Sequence, residues 1–134
     1  AIRGRHNIYA HLETMVKRAN KSITLVTTSK GVLRKVDALS PNLQKLAKKG
    51  VKIKVAAPKS EENKQTLNDI AKIAEIKELK GVDARFCVVD GNEIMFMMMH
   101  DDEVHPSYDI GIWVNTPYFA SAMENLLNAN WKKS

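Results

Sequence analysis

Two strand-like runs fix the architecture of this chain: Ser22-Ile23-Thr24-Leu25-Val26-Thr27-Thr28 and Val51-Lys52-Ile53-Lys54-Val55-Ala56-Ala57. The first is β-branched and apolar, and the second alternates, as half-buried strands do. Ser29-Lys30-Gly31 predicts a loop after the first run, and Pro41 suits the first turn of a helix that ends at Gly50. Because a strand–helix–strand crossover joins parallel strands with right-handed geometry, we expect a parallel β-α-β unit.

Periodic apolar patterns predict further elements on both sides of this unit. They are helices over 7–20, over 60–79 with Ser60 as a possible N-cap, and from Pro117, and strands over 84–89, 93–99 and 109–114. Gly81 is expected to end the second helix, and Asp90-Gly91-Asn92 predicts an antiparallel hairpin. With no repeat or linker between these elements, we expect one α/β domain over 1–134, a mixed β-sheet flanked by helices.

The composition is that of an ordinary globular protein, with 44% hydrophobic and 27% charged residues among 134. No apolar run approaches the roughly 20 residues that cross a bilayer, so we expect no membrane partner. The net charge of +6 permits attraction to nucleic acid, but the lysines are spread along the chain, which favours solvated helix faces. The lone Cys87 fits a reducing cytoplasm, and the lack of an initiator Met suggests a segment of a longer polypeptide.

Two parts of the chain are candidates for ligand binding. Thr27, Thr28, Ser29 and Lys30 stand at the carboxyl end of a parallel strand, where ligands gather in open α/β sheets. Their hydroxyls, ammonium and backbone N–H groups could hold an anion, although the same residues form ordinary turns. Arg85 could bind an oxyanion through its planar guanidinium, and a structural ion pair with Asp83 or Asp90 is the alternative.

A polar stretch between the last two strands could bind a metal ion. His100, Asp102 and His105 offer nitrogen and oxygen ligands of the kind that divalent ions accept. Acidic loops with proline are also common solvated connections, and no second His or Cys cluster completes the set. With neither a nucleotide-binding glycine loop nor a zinc motif, we expect no cofactor.

Large apolar side chains favour core positions over a binding surface. We expect the aromatic side chains Tyr9, Trp113, Phe119 and Trp131 to anchor the core and not to stack on bases. The methionines between 95 and 99 lack clean alternation, which indicates a strand buried on both faces. An adaptable methionine surface for a partner or an effector is the alternative.

The order of strand, Asp-Gly turn, strand, polar loop, strand and helix resembles the second half of a phospholipase-D-like unit. That family carries the signature His-x-Lys-x4-Asp, and alignment on Asp90 puts Asp83 at the His position and Arg85 at the Lys position. The resemblance implies this fold without its catalytic residues. The family's reaction is covalent catalysis through an imidazole, which a carboxylate cannot replace, and Arg85 keeps only the positive charge.

Three stretches resemble archaeal TrmB-family transcriptional regulators: Ile2-Arg3-Gly4-Arg5-His6-Asn7-Ile8-Tyr9, residues 22–28 and Lys49-Gly50-Val51-Lys52-Ile53. The resemblance implies a non-catalytic regulatory domain that senses a sugar or another metabolite, pairs subunits, or does both. Operator DNA would bind through an N-terminal winged helix missing from this chain. Because operators are usually palindromic, the expected assembly is a homodimer.

Two other functions stay open at this point. One is a divergent phosphodiesterase that uses His100 or His105 in place of the lost nucleophile. The other is a nucleic-acid-binding module that uses the positive charge and whose affinity falls steeply with salt.

Overall fold

The computed structural model describes residues 1–79 and 83–133. Within them lie the elements β1 (Ile2–Arg3), α1 (Arg5–Lys17), β2 (Ser22–Val26), α2 (Ser29–Lys48), β3 (Lys52–Ala56), α3 (Lys64–Ile70), β4 (Glu75–Lys77), β5 (Phe86–Val89), β6 (Glu93–Met97), β7 (Ile110–Asn115) and α4 (Pro117–Lys133). Two short 3-10 turns, Asp101–Glu103 and Pro106–Tyr108, lie between β6 and β7. The strands form one sheet in the order β1-β7-β6-β5-β2-β3-β4. The expected α/β class is confirmed.

The sheet is mixed because two kinds of connection build it. β2 and β3 are parallel, from Ser22 beside Lys52 to Val26 beside Ala56, as the crossover predicts. β5 and β6 are antiparallel and are joined by the predicted hairpin turn. Asp90 and Gly91 both have positive φ angles, 58° and 67°, the backbone conformation that tight hairpins favour.

The core has two layers, one on each face of the sheet. Helices α1, α2 and α3 cover one face, where residues such as Ile8, Val32 and Leu67 meet the side chains of alternate strand positions. Helix α4 covers the other face and packs Leu127 and Trp131 against the remaining positions. The central strands are therefore buried on both faces, which explains their continuous apolar runs.

Helix α2 begins earlier than expected, and the predicted loop at 29–31 is wrong. Thr28 is the N-cap, and its hydroxyl oxygen accepts a hydrogen bond from the backbone N–H of Gly31 at 2.9 Å. Pro41 consequently lies inside the helix and not in its first turn. The helix continues through this position because one apolar stripe, Val32, Val36, Leu39 and Leu43, is buried on both sides of the proline.

The helix predicted over 60–79 is much shorter in the structure. Asn63, and not Ser60, precedes α3, which ends at Ile70. The residues Glu75–Lys77 form β4, an edge strand that pairs in parallel with β3. Backbone hydrogen bonding to the exposed edge of β3 therefore outweighs the helical spacing of the apolar residues. The predicted end at Gly81 lies outside the described residues.

Several apolar side chains lie at the surface and not in the core. Strand β6 ends at Met97, so Met98 and Met99 are 57% and 39% exposed and the prediction of a strand buried through residue 99 is wrong. Phe119 is also 39% exposed, whereas Trp131 is buried as expected. Among the helices of the described residues, none has the length and apolarity needed to span a membrane.

Candidate ligand-binding site

Two cavities adjoin at the carboxyl ends of β2 and β3, close to the start of β5 and the end of β6. The larger has a volume of about 590 Å³ and the smaller about 230 Å³. Asp83, Ala84 and His100 line both of them. We name them the apolar cavity and the polar cavity after the side chains that dominate each.

The apolar cavity lies between the hairpin and α4. Its walls are apolar side chains, chiefly Phe86, Ile94, Phe96, Met98, Met99, Phe119 and Met123. Its polar rim consists of Asp83, Arg85, His100 and Glu103. Pockets of roughly 300–1,000 Å³ with apolar walls and a few polar groups are the usual sites for small molecules. The exposed methionines that the strand prediction misplaced are thus part of a cavity wall.

The polar cavity brings together residues that the sequence suggested for two different sites. Thr27, Thr28, Ser29 and Lys30 line one side, and His100 and Asp102 line the other. Glu62, Asp83 and Asp101 add three more carboxylates. Asp101 is paired with Arg34, but the other three carboxylates still outnumber the single lysine of this cavity, which makes it a poor site for the anion that residues 27–30 suggested on their own.

The two threonine hydroxyls of the polar cavity are engaged within the protein. Thr28 Oγ1 donates to Asp101 Oδ2 at 2.8 Å, in addition to capping α2. Thr27 Oγ1 accepts a hydrogen bond from the ammonium of Lys35 at 2.9 Å. Of the four predicted residues, Lys30 is exposed and Ser29 is half-buried, so these two are the more accessible to a ligand.

Arg85 is almost fully buried and forms a bidentate ion pair with Asp109. Its Nη1 and Nη2 atoms lie 3.1 Å and 2.8 Å from the two carboxylate oxygens, and Nη1 also donates to the Met99 carbonyl. Arg5 adds a third hydrogen bond to Asp109 at 3.1 Å. Burial opposes ionisation of Asp109, but the two arginines outweigh it and lower the pKa of this carboxyl. The guanidinium fork of Arg85 is therefore occupied.

The partner of Arg85 is neither of the two that sequence reasoning offered. Asp83 is exposed, and it lines both cavities. Asp90 accepts hydrogen bonds from the backbone N–H groups of Asn20, Lys21 and Ser22, and thereby ties the hairpin turn to the start of β2. Asp109 was missed because it follows the polar loop and reaches Arg85 only through the tertiary fold.

A second buried charge, Lys35, was also missed. It is 1% exposed, and burial together with the positive charges of Arg85 and Arg34 lowers its pKa to about 7. A signal was present, because Lys35 follows Val32 by three residues on the apolar stripe of α2. Arg34 extends from the same turn and pairs with Asp101. Burial opposes ionisation of Asp101, yet its bonds to Thr28 and Arg34 lower the pKa of this carboxyl.

The structure regroups the proposed metal ligands. His100, Asp101 and Asp102 place their ligand atoms within 4.8 Å of one another. In the part of the chain that the structure describes, His105 does not belong to this group. Its Nδ1 atom accepts a hydrogen bond from the Ser107 N–H at 3.1 Å. His100 Nδ1 likewise accepts from the Asp102 N–H, so each histidine caps a 3-10 turn. The metal site stays a prediction.

Comparison with known proteins decides the family. Residues 1–134 match the family model described as transcriptional regulator TrmB, EBD N-terminal subdomain. The chain belongs to the TrmB family. The resemblance inferred from sequence is thereby confirmed, and the match assigns this TrmB-family chain to the N-terminal part of the effector-binding domain. No curated protein sequence matches it significantly.

Solved structures show the fold of this TrmB-family chain more widely. It is similar to TrmBL2, an archaeal chromatin protein, with 20% identity, a TM-score of 0.77 and coverage of 98% of this chain and 51% of TrmBL2. It is also similar to NucT from Helicobacter pylori, with 11% identity, a TM-score of 0.71 and coverage of 96% of this chain and 89% of NucT. A third similar structure is Nuc from Salmonella typhimurium, a phospholipase D family member, with 14% identity, a TM-score of 0.68 and coverage of 92% of this chain and 86% of Nuc. The chain spans about half the length of TrmBL2. The phospholipase-D-like fold is confirmed.

Proposed function

We propose that this TrmB-family domain is a non-catalytic sensor of a small-molecule effector, which binds in the adjoining cavities at the carboxyl end of the sheet. The apolar cavity carries this proposal, because its volume of about 590 Å³ and its apolar walls with a polar rim suit a small molecule. Binding would favour one conformational state of the regulator through the difference in affinity for its states.

The chemistry of the rim supports a non-catalytic role. The position of the nucleophilic histidine holds Asp83, whose carboxylate repels an anionic phosphodiester and would form a labile mixed anhydride. The position of the lysine holds Arg85, whose fork is taken by Asp109. Of the two histidines that the sequence offered as a replacement nucleophile, His100 lines both cavities and His105 lines neither. Hydrolysis of bis(p-nitrophenyl) phosphate that is lost in a His100→Ala variant would establish an enzyme instead.

The same rim favours an uncharged or cationic effector over a phosphorylated one. Asp83 and Glu103 are exposed carboxylates at the mouth of the apolar cavity, while the one arginine there is already paired. A sugar or another neutral metabolite would present hydroxyl donors to these oxygens and lay its apolar surface against the methionine and phenylalanine wall.

The expected partners besides the effector are operator DNA and a second copy of the regulator. TrmBL2 is a DNA-binding protein, and we extend the same role to this regulator, with operator DNA bound by an N-terminal winged helix beyond residues 1–134. A homodimer matches palindromic operators, and sedimentation of this chain would locate the pairing surface inside or outside it. The organisation of residues 1–134 as a single α/β domain stays a prediction, as does a cytoplasmic location.

A thermal-unfolding screen against sugars, nucleotides, phosphorylated metabolites, amines and divalent ions tests the sensor role. An effector at 100 times its Kd stabilises the fold by about 2.7 kcal/mol. A Met123→Trp variant places a bulkier side chain in the wall of the apolar cavity, which narrows the cavity and should strongly reduce the shift. A Leu126→Trp variant is the matched control, because Leu126 is 64% exposed on the same helix and does not line the cavity. A shift that survives Met123→Trp would place the effector elsewhere, and no shift with any compound would contradict the sensor role.

A further inference from the structure

A groove lined with lysines lies at the other end of the sheet, between the end of α2, the start of β3 and the residues that lead into β4. Its volume is about 600 Å³, and its exposed cationic residues are Lys48, Lys52 and Lys72. Lys21 and Lys49 lie beside it: Lys49 follows Lys48, and the Lys21 carbonyl accepts from the Lys52 N–H at 3.0 Å. We call these five residues the lysine surface.

The fold gathers these lysines from segments that are separate in the sequence. Helix α2 ends in a basic last turn, and Gly50, with φ of +90°, turns the chain directly into β3. Val51 and Ile53 are buried, so Lys52 between them points away from the core. Lys72 follows α3 and closes the groove from the opposite side. The even spread of lysine along the sequence therefore hides a cluster in space.

The positive charge of this surface exceeds the negative charge beside it, which comes from Glu75 in the groove and from Asp69 in the adjoining pocket that Lys48 and Lys72 also line. None of its five lysines forms a salt bridge with any residue that the structure describes. Glu75 is the one carboxylate lining the groove, and its Oε1 atom accepts a hydrogen bond from Trp131 Nε1 at 2.7 Å. Uncompensated like charges in one groove repel each other, and a polyanion would relieve this repulsion.

We propose that the lysine surface binds the phosphate backbone of duplex nucleic acid without reading its sequence. Lysine is a point charge suited to phosphate oxygens and at base edges contacts guanine, whereas arginine, asparagine and glutamine form the two-pronged contacts that identify bases. None of these three residue types lines this groove, which favours phosphate contacts over base readout. Aromatic side chains, on which the bases of single strands stack, are also missing from its lining, which favours a duplex over a single strand.

This inference is independent of the proposed sensor role. The cavities lie at the carboxyl ends of β2 and β3, and the lysine surface lies at their amino ends. A ligand and a duplex could therefore occupy the domain together, and the failure of one proposal leaves the other unaffected.

Fluorescence anisotropy of a labelled random-sequence DNA duplex, titrated with this chain over a range of salt concentrations, tests the proposal. The logarithm of the binding constant should fall with the logarithm of salt concentration, with a slope of about −0.9 for each phosphate neutralised. The variant Lys48→Gln/Lys52→Gln/Lys72→Gln should bind more than tenfold more weakly at low salt. Each lysine lost should reduce the steepness of the slope by about 1.

The matched control is Lys30→Gln/Lys59→Gln/Lys64→Gln, which removes three exposed lysines from other parts of the surface. It lowers the formal net charge of +6 by the same amount and should keep most of the affinity. If both variants lost the same amount of duplex affinity, the net charge and not the lysine surface would explain the binding, and the proposal would be overturned. The absence of duplex binding at low salt, or equal affinity for a single strand or for polyglutamate, would also overturn it. Circular dichroism confirms that both variants are folded.

Discussion

At the scale of single residues, buried charges distinguish this domain from a plain apolar core. Asp109 is fully buried and accepts hydrogen bonds from both Arg85 and Arg5. Sequence reasoning foresaw an ion pair for Arg85 as one alternative, but it could not find the partner. The contact depends on how the polar loop folds back, and no local pattern records that.

Replacing Asp109 by Asn should destabilise the fold by about 3–5 kcal/mol, because the buried guanidinium of Arg85 and the half-buried one of Arg5 lose their counter-ion. Urea denaturation measures the change. The control is Glu13→Gln, which removes a largely exposed pair with Lys17 one helical turn away and should cost about 0.5 kcal/mol or less. A loss below about 1 kcal/mol for Asp109→Asn would mean that the buried pair is not essential to the fold.

Lys35 makes stability depend on pH near neutrality. Burial lowers its pKa from 10.5 to about 7, so between these values the unfolded chain holds a proton that the folded chain has released. The free energy of unfolding should therefore rise by about 1–2 kcal/mol between pH 7 and pH 8.5. The predicted rise is limited to pH values up to about 8.5 because Cys87 has the opposite effect above that pH. Burial raises the pKa of Cys87 to about 12, so at higher pH its thiol ionises in the unfolded chain and not in the folded one, which lowers the free energy of unfolding.

A Lys35→Met variant should remove this rise while remaining at least as stable as the parent at pH 7, since methionine fills a similar volume without a charge. Lys30→Met, an exposed change in the first turn of the same helix, should keep the parental slope. Urea unfolding at four pH values provides the measurement. If the Lys35→Met variant retained the rise, another group would be responsible.

At the scale of elements, the sequence predicts most of what local chemistry controls. The hairpin turn, the parallel pairing of β2 with β3 and the start of α4 at Pro117 all agree with their patterns. The errors occur where tertiary contacts dominate. β4 exists because the edge of β3 offers it backbone partners, and α2 passes through Pro41 because its apolar stripe is buried.

The proline inside α2 gives a direct test of that explanation. Pro41 has no N–H to donate to the carbonyl four residues earlier, which costs up to about 3 kcal/mol in a helix interior. Because residue 41 is exposed, Pro41→Ala should stabilise the fold by about 1–3 kcal/mol without disturbing the core. Pro117→Ala, at the first position of α4, should change stability little. Chemical denaturation that showed no gain for Pro41→Ala would contradict a helix continuous through this residue.

At the scale of the whole molecule, half of the candidate site could be predicted. Residues 27–30 follow a parallel strand, and the carboxyl ends of such strands meet at one edge of the sheet. His100 and Asp102 were recognised by their chemistry, although nothing in the sequence places them opposite Thr28. The methionine wall of the apolar cavity was foreseen only as the alternative of an adaptable effector surface, because the main prediction assigned Met98, Met99 and Phe119 to buried positions.

The most direct test of the sensor role is methyl NMR of the six methionines during titration with the metabolites of the unfolding screen. Four of them, Met97, Met98, Met99 and Met123, line the apolar cavity, while Met15 and Met95 are buried in the core and serve as internal references. The account predicts that an effector shifts the Met98, Met99 and Met123 signals and leaves the Met15 signal unchanged. An effector that stabilises the fold without moving these cavity signals, or a library in which no compound moves them, would contradict it.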